Sequence, residues 1–465
     1  MTLNRAEVCT FGVASCLWGC LQAFSIDSRR CCDLQKLERF VGEGKTLPGE
    51  HEASPSNVPG VPLSDDIKLA SADIRFKASR ILDILAANEY EGRLVGGCVR
   101  DTILGKPIAD IDIAVNAPPE KVKEIFEKAG KEVISSGIEH GTITVIENGT
   151  PFELTSLRKD VETDGRHAKV KYTDDWKQDA ARRDFTINAL YLDRDGNIYD
   201  YFGGIHDLKH GIVRFVGDPV QRIKEDYLRI LRYYRFLIRL GREVDEGSAQ
   251  AVRAHVACVE KLSMERVQSE LLKILAEPHS VDVLRMMGEV FLVIFGKKPD
   301  FDYAKNLILD TGYEFTPLLR LFALYPCDSG VFKRKLKLSK KQLGYIEAMS
   351  AVKDTCLSNA NLFKVRYKHG DGVARGWVYL RLAKGDVCSS LGDWNGNADG
   401  LASIFSVPFP KFPLSGQDLI RAGFKPGPKF GAILTQCKKW WCENEGRPNL
   451  EECLSWCEEY VNRGT

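Results

Sequence analysis

Net charge is almost absent from this chain: 65 lysines and arginines meet 64 aspartates and glutamates, leaving +1. Such a balance exerts no global pull on a polyanion, so any nucleic-acid binding must come from local basic patches. Methionine is scarce as well. After Met1 the next is Met264, which excludes a simple internal restart that keeps the first half. No long apolar run is present either. Val8 to Ile26 is uncharged but broken by Thr, Ser, Gly and Gln, and is short for a membrane-spanning helix. A disulfide framework is also missing. The 14 cysteines are scattered, most of them in apolar helical text, which reads as a reduced, cytoplasmic compartment. The last four, Cys437, Cys442, Cys453 and Cys457, miss the paired spacing of zinc sites and read as helix-borne thiols.

What remains is an ordinary soluble composition, 44% hydrophobic and 28% charged, in 465 residues, enough for two to four domains. Residues 1–33 admit three readings: a signal peptide, an organellar leader carrying Arg5, Arg29 and Arg30, or an extension without a role. A leader would move the expected compartment from cytoplasm to mitochondrion. Pro, Gly and Ser then crowd the text from Gly42 to Asp66, which reads as a linker.

The chemistry concentrates between Leu94 and Val115. A short strand runs into Gly96-Gly97, a turn whose backbone amides can approach an anion, and a helix opening near Cys98 points its positive end the same way. Asp110 and Asp112 follow in a run of period two. Their carboxylates leave one face about 6.6 Å apart along the chain, while Ile111 and Ile113 face inward. Two such oxygen donors suit Mg2+, and a third carboxylate would allow two ions roughly 3.5–4 Å apart for in-line attack at phosphorus. The chemistry indicated is nucleotidyl transfer.

Helical spacing is expected over Ile67–Asn88 and Pro118–Gly130, and strands over Glu132–Ser135, Gly141–Ile146 and Pro151–Leu157. Glu153, on the last strand, becomes the third carboxylate if that strand neighbours the aspartate strand. Arg158 to Trp176 reads as a polar loop whose Arg158, Lys159, Arg166 and His167 face anionic substrate. In Asp179-Ala-Ala-Arg-Arg-Asp184, Arg183 suits a triphosphate through its two-pronged guanidinium. Ala189–Leu192, Ile198–Tyr201 and Val213–Val216 are expected to complete the sheet.

From Pro219 the text is helical. Arg222 to Phe236 reads as one helix with Asp226, Arg229, Arg232 and Arg235 three apart, and Tyr227, Leu231, Tyr234 and Ile238 as its core stripe. Cytosine and adenine each show an amino donor beside a ring-nitrogen acceptor, the reverse of uracil and guanine. Asp226 as acceptor and Arg229 as donor would therefore take CTP and ATP and refuse UTP and GTP.

Gly96-Gly97-x-x-Arg100-Asp101, Asp110-x-Asp112, Asp164-Gly165-Arg166, Arg182-Arg183-Asp184-Phe-Thr-Ile-Asn188, Glu225-Asp226-x-x-Arg229-x-x-Arg232-x-x-Arg235 and Glu265-Arg266 with Glu270 stand in one order. That order resembles the class II nucleotidyltransferases, the CCA-adding tRNA nucleotidyltransferases and bacterial poly(A) polymerases, over residues from about 90 to 276. The run from Glu162 to Arg232 looks like the alphaproteobacterial CCA-adding branch.

The resemblance implies an α+β protein: a polymerase-beta-like head of mixed sheet and helices, then an all-α neck, body and tail. The domains would be an extension over 1–66, a catalytic head over 67–217, a base-selecting neck over 218–280 and a tRNA-binding body and tail over 281–465. Asp110 and Asp112 become magnesium ligands. Gly96, Gly97, Arg100, Arg183, Arg232 and Arg235 become nucleotide contacts, Asp226 with Arg229 the base-reading pair, and Glu265 with Arg266 the support of that helix.

The implied partners are tRNA, ATP and CTP, with no membrane. The implied activity is template-independent addition of CCA. Poly(A), A-only or C-only addition is the alternative within the family, and a non-catalytic tRNA-binding protein the alternative outside it. Further on, Lys333-Arg-Lys-Leu-Lys337 with Lys340-Lys341 is a candidate for the tRNA backbone. Gly416–Gly431 resembles the tail element of CCA-adding enzymes. Trp440, Trp441 and Trp456 read as core.

Overall fold

A computed structural model describes residues 61–62, 65–163, 168–277, 281–301, 316–326, 329–383, 405–427 and 429–463. The chain parts into two compact units between Asp218 and Pro219.

The first unit is built on an eight-stranded sheet in the order β1-β10-β9-β2-β3-β6-β5-β4. Its central strands are β2 (Gly92–Val95), β3 (Ile111–Val115), β6 (Thr150–Ser156) and β9 (Leu190–Leu192). β4 (Glu132–Ile134) and β5 (Thr142–Glu147) extend one edge, and β10 (Asn197–Asp200) with the short β1 (Val61–Pro62) the other. Every neighbouring pair is antiparallel except β3 and β6, which run parallel. A parallel pair needs a crossover, and α3 (Pro119–Lys128), with proline in its first turn, begins it.

The return from β5 to β6 is the two-residue turn Asn148-Gly149, both at positive φ (49° and 74°), the mirror-image turn that matches strand twist. Helix α1 (Asp65–Ala87) buries Ile74, Ala78, Ile81, Leu82 and Leu85, spaced three and four apart. Each of its larger aliphatic side chains contributes roughly 1.5–3 kcal/mol of burial.

Two expectations for this unit are corrected. Within the stretch expected as a loop, β7 (Arg158–Thr163) and β8 (Ala168–Tyr172) pair as a separate two-stranded ribbon. Val213–Val216 adds no strand to the sheet; Phe215 makes a single bridge to Phe185.

The second unit is helical throughout the described residues. Its opening differs from the single helix expected. α5 (Pro219–Glu225) stops, Asp226 and Tyr227 intervene, and α6 (Leu228–Leu240) resumes. The cause is local. The Asp226 carboxylate accepts a hydrogen bond from the backbone N–H of Leu228 at 3.1 Å, an Asx-type contact that competes with helix continuation. α6 buries Ile230, Leu231, Tyr233, Tyr234, Phe236, Leu237 and Ile238, a broader stripe than the heptad-like one expected.

At the chain's end, α8 (Phe430–Glu443) and α9 (Leu450–Arg463) carry Cys437, Cys442, Cys453 and Cys457 into one buried cluster with Trp441. Trp440 and Trp456 are only half-buried and stack on each other, with Trp456 also on Tyr460, so the core reading holds for Trp441 alone. Among the described residues, no helix is long and apolar enough to cross a membrane.

Candidate active site

Gly96 takes φ 73°, ψ −122°, a conformation that side chains avoid, and hands the chain to α2 (Gly97–Ile103). Beneath this turn Arg100 is buried. Its guanidinium donates to both oxygens of Asp101, at 3.0 and 2.9 Å, and to the Asn188 side-chain oxygen at 2.5 Å. Asn188 in turn donates to Asp184 at 3.0 Å. Arg100 thus ties the turn to the segment after Arg183.

Asp110 is exposed just before β3, and Asp112 is half-buried one pleat along. The parallel register sets Asp112 beside Glu153 on β6, and Glu153 faces Thr144 on its other side. So the third carboxylate does stand on the neighbouring strand. Burial, then the negative charge of Glu153, pushes the Asp112 pKa up; Arg183 pulls it back and Asp110 adds to the rise, which ends at about 6. Three carboxylates therefore repel one another around Asp112 with one guanidinium in range. An all-oxygen, mutually repelling set of this kind fits a hard divalent cation that completes its shell with water and phosphate. Among the described residues no three His, Cys, Asp or Glu side chains close into a ready-made metal cage, the tail cysteines included.

Arg183 is fixed from behind. Its Nη2 donates to Asp179 Oδ2 at 3.0 Å and its Nε to the Tyr191 hydroxyl at 3.2 Å, while that hydroxyl donates to the same Oδ2 at 2.8 Å. A Cβ placed on Gly96 would stand 3.4 Å from Arg183 Nη1, so that edge of the guanidinium lies at the glycine turn. Asp179 sits on α4 (Trp176–Ala181), capped by the Asp175 side chain. Trp176 anchors α4 in the cluster of Val95, Ala114, Ala180 and Tyr191. Arg93 stacks across Trp176 at 4.0 Å and Tyr199 at 3.6 Å.

Burial works to raise the Asp179 pKa, yet Arg183, Arg182 and the Tyr191 hydroxyl outweigh it and hold the carboxyl well below the usual range. Tyr191 carries no sequence signal of its own. The Asp179 link was legible as an acid three and four residues ahead of two arginines.

Arg158 donates to the His140 carbonyl, and Lys159 is exposed. Residues 164–167, including Arg166 and His167, lie outside the described residues.

In the second unit Asp226 also accepts from Arg266 Nη2 at 2.7 Å. Arg229 Nη1 donates to the Arg222 carbonyl at 2.8 Å and to Glu225 at 2.7 Å. Glu225, unremarkable in the sequence except as part of a motif, thus orients Arg229 and pairs with Arg222 as well. Arg235 pairs with buried Glu270 and lies over Phe236 at 4.5 Å, and Arg232 lies over the same ring at 5.6 Å. Glu270 and Arg266 both belong to α7 (Met264–Ala276). That helix therefore holds the motif from the side. Lys333, Arg334, Lys335, Lys337, Lys340 and Lys341 are all exposed, and none forms an ion pair among the described residues.

Residues 92–214 match the poly A polymerase head domain, and residues 242–293 match the probable RNA and SrmB-binding site of polymerase A. The mitochondrial CCA tRNA nucleotidyltransferase 1 of Danio rerio is 34% identical over 81% of this chain and 89% of its own length. The CCA-adding enzyme of Limosilactobacillus fermentum is 32% identical over 82% of this chain and 96% of its own. The crystal structure of the Bacillus stearothermophilus CCA-adding enzyme in complex with CTP superposes with a TM-score of 0.65 at 29% identity, covering 83% of this chain and 97% of that one.

Proposed function

The chain belongs to the family of CCA-adding tRNA nucleotidyltransferases, and we propose that it builds C, C and A onto the 3′ end of tRNA from CTP and ATP without a nucleic-acid template. The observation that carries this reading is the placement of Asp112 beside Glu153, with Arg183 and the Gly96 turn at the same carboxylate cluster.

Asp110 and Asp112 would hold Mg2+, with Glu153 beside them. When bound, the ion supplies the positive charge that polarises the attacking 3′-hydroxyl and offsets charge on the departing pyrophosphate. Arg183 grips the triphosphate and keeps the α-phosphorus in line with the hydroxyl. The Gly96-Gly97 backbone leaves room for the phosphates, and Arg100 maintains that turn from beneath instead of entering the cleft. Asp226 and Arg229 present the acceptor and donor that suit cytosine and adenine. Each Asp226 oxygen already accepts one hydrogen bond and keeps capacity for another. The six exposed cations between Lys333 and Lys341 supply the attraction to the tRNA backbone that the near-neutral chain lacks overall.

Incubating the full chain and Mg2+ with a tRNA lacking its last three nucleotides tests the proposal. Two C residues from CTP alone, and a terminal A only when ATP is also present, support CCA addition. The head-domain match is shared with poly(A) polymerases, and a long A tail from ATP alone would assign the chain to them. No addition despite tRNA binding would make it a non-catalytic binder.

For compartment, the cytoplasm is the reading from composition, and a leader within residues 1–66 is the rival that mitochondrial relatives favour. A fluorescent fusion to residues 1–66 separates the two.

A further inference from the structure

The carboxylate of Asp179 has no place in the transfer chemistry, yet it is 1% exposed and fully occupied. Its Oδ1 accepts from Arg182 Nε at 2.8 Å and from the Arg158 backbone N–H at 3.3 Å. Its Oδ2 accepts from Arg183 and from Tyr191. Burying a carboxylate is costly unless it is paired and hydrogen-bonded, and a molecule that only needed a packed core would place an apolar side chain here. The geometry suggests what the charge is for. Arg183 spends Nη2 on Asp179 and Nε on Tyr191, which leaves Nη1 as the edge at the Gly96 turn. Among the described residues Nη1 makes no hydrogen bond.

We propose that Asp179 and Tyr191 form a buried clamp that presets Arg183 for the nucleotide's triphosphate, making both of them positioning residues for the transfer reaction. This rests on the assignment of Arg183 to the triphosphate made above. A free arginine would give up side-chain entropy when it closed on phosphate; a clamped one has already lost it. The clamp also keeps Arg183 from collapsing onto the carboxylate of Asp112, whose charge attracts it. Tyr191 closes a triangle among the three side chains, so the guanidinium is fixed in rotation as well as position. Arg182, held on the other carboxylate oxygen, leaves the cluster net positive, which suits an anionic ligand.

The test is a double-mutant cycle read by calorimetric ATP affinity of the full-length chain with Mg2+ and no tRNA, which requires no turnover. Asp179→Asn should weaken ATP binding about tenfold alone and less than about twofold in an Arg183→Ala background. Tyr191→Phe, which keeps the ring and removes one hydroxyl, should weaken it about threefold alone and leave the Arg183→Ala protein unchanged. It carries the test if Asp179→Asn fails to fold. Equal losses in both backgrounds would mean a general structural role, and unchanged affinity in either single variant would mean no clamp; either result overturns the proposal. If Arg183→Ala itself leaves ATP affinity intact, the triphosphate assignment fails, a different outcome from failure of the clamp.

Discussion

Asp112 and Glu153 are partners in the one parallel strand pair of the head sheet, side by side in register on β3 and β6. Like charges side by side resist joint ionisation, and burial first, then the Glu153 charge, raise the pKa of Asp112. Replacing either carboxylate by its amide removes the repulsion together with the donor. Asp112→Asn is expected to cost several kcal/mol of barrier, roughly a thousandfold in turnover, while tRNA affinity stays within about twofold. Single-turnover addition and filter binding on the same preparation check it, and equal losses in both would refute the metal-ligand role.

Gly96→Ala forces a methyl group into a backbone conformation that L residues avoid and brings it against Arg183. The strain should cost about 1–3 kcal/mol, seen as a lowered thermal midpoint, and the nucleotide KM should rise. An unchanged midpoint would show that the turn relaxes.

Asp226→Ala removes the acceptor that distinguishes cytosine and adenine from uracil and guanine. Misincorporation from UTP and GTP should rise by about tenfold or more relative to CTP and ATP. Arg266→Ala, which frees the same carboxylate from its 2.7 Å ion pair, should loosen selectivity less. If base choice survives Asp226→Ala, hydrogen-bond matching is not how the base is read.

Substituting Lys333, Arg334 and Lys335 by alanine should weaken tRNA binding and flatten its dependence on salt, by about 0.9 in the log–log slope for each duplex phosphate that is no longer neutralised. Titration at several salt concentrations measures this. A parallel shift with unchanged slope would place the cluster away from the RNA.

Acid stability follows from Asp179. Its folded pKa lies below the ~3.9 of an unfolded aspartate, so its ionised form stabilises the head fully above that value. The contribution is lost as pH falls through the folded pKa. Denaturation midpoints of wild type and Asp179→Asn should therefore differ most near neutrality and converge in acid; a constant difference would exclude the linkage.

The parts of the head that read correctly from sequence are those where one pattern dominates. Glycines before a helix and alternating Asp and Ile mark their elements directly, whereas the place of Glu153 depends on which strand its own strand pairs with, settled by the β3–β6 register. The β7–β8 ribbon escaped because glycine and charged residues over 158–176 outweigh the short alternation of Ala168, Val170 and Tyr172 with Lys169 and Lys171. The interruption at Asp226 escaped because the three-residue spacing of Asp226, Arg229, Arg232 and Arg235 continues across it, and the Asx contact to Leu228 leaves no periodic trace. Arg100, a nucleotide contact by family resemblance, is buried against Asp101 and Asn188, a pairing across 88 residues that leaves no local sequence trace.

The Asn148-Gly149 turn has a reach beyond its own hairpin. Strand side chains alternate faces, so a slip of one residue at this turn would flip Glu153 to the opposite side of the sheet. The distance from turn to glutamate is about four residues, on the order of 13 Å. A surface hairpin tip thus helps to gauge where Glu153 stands beside Asp112.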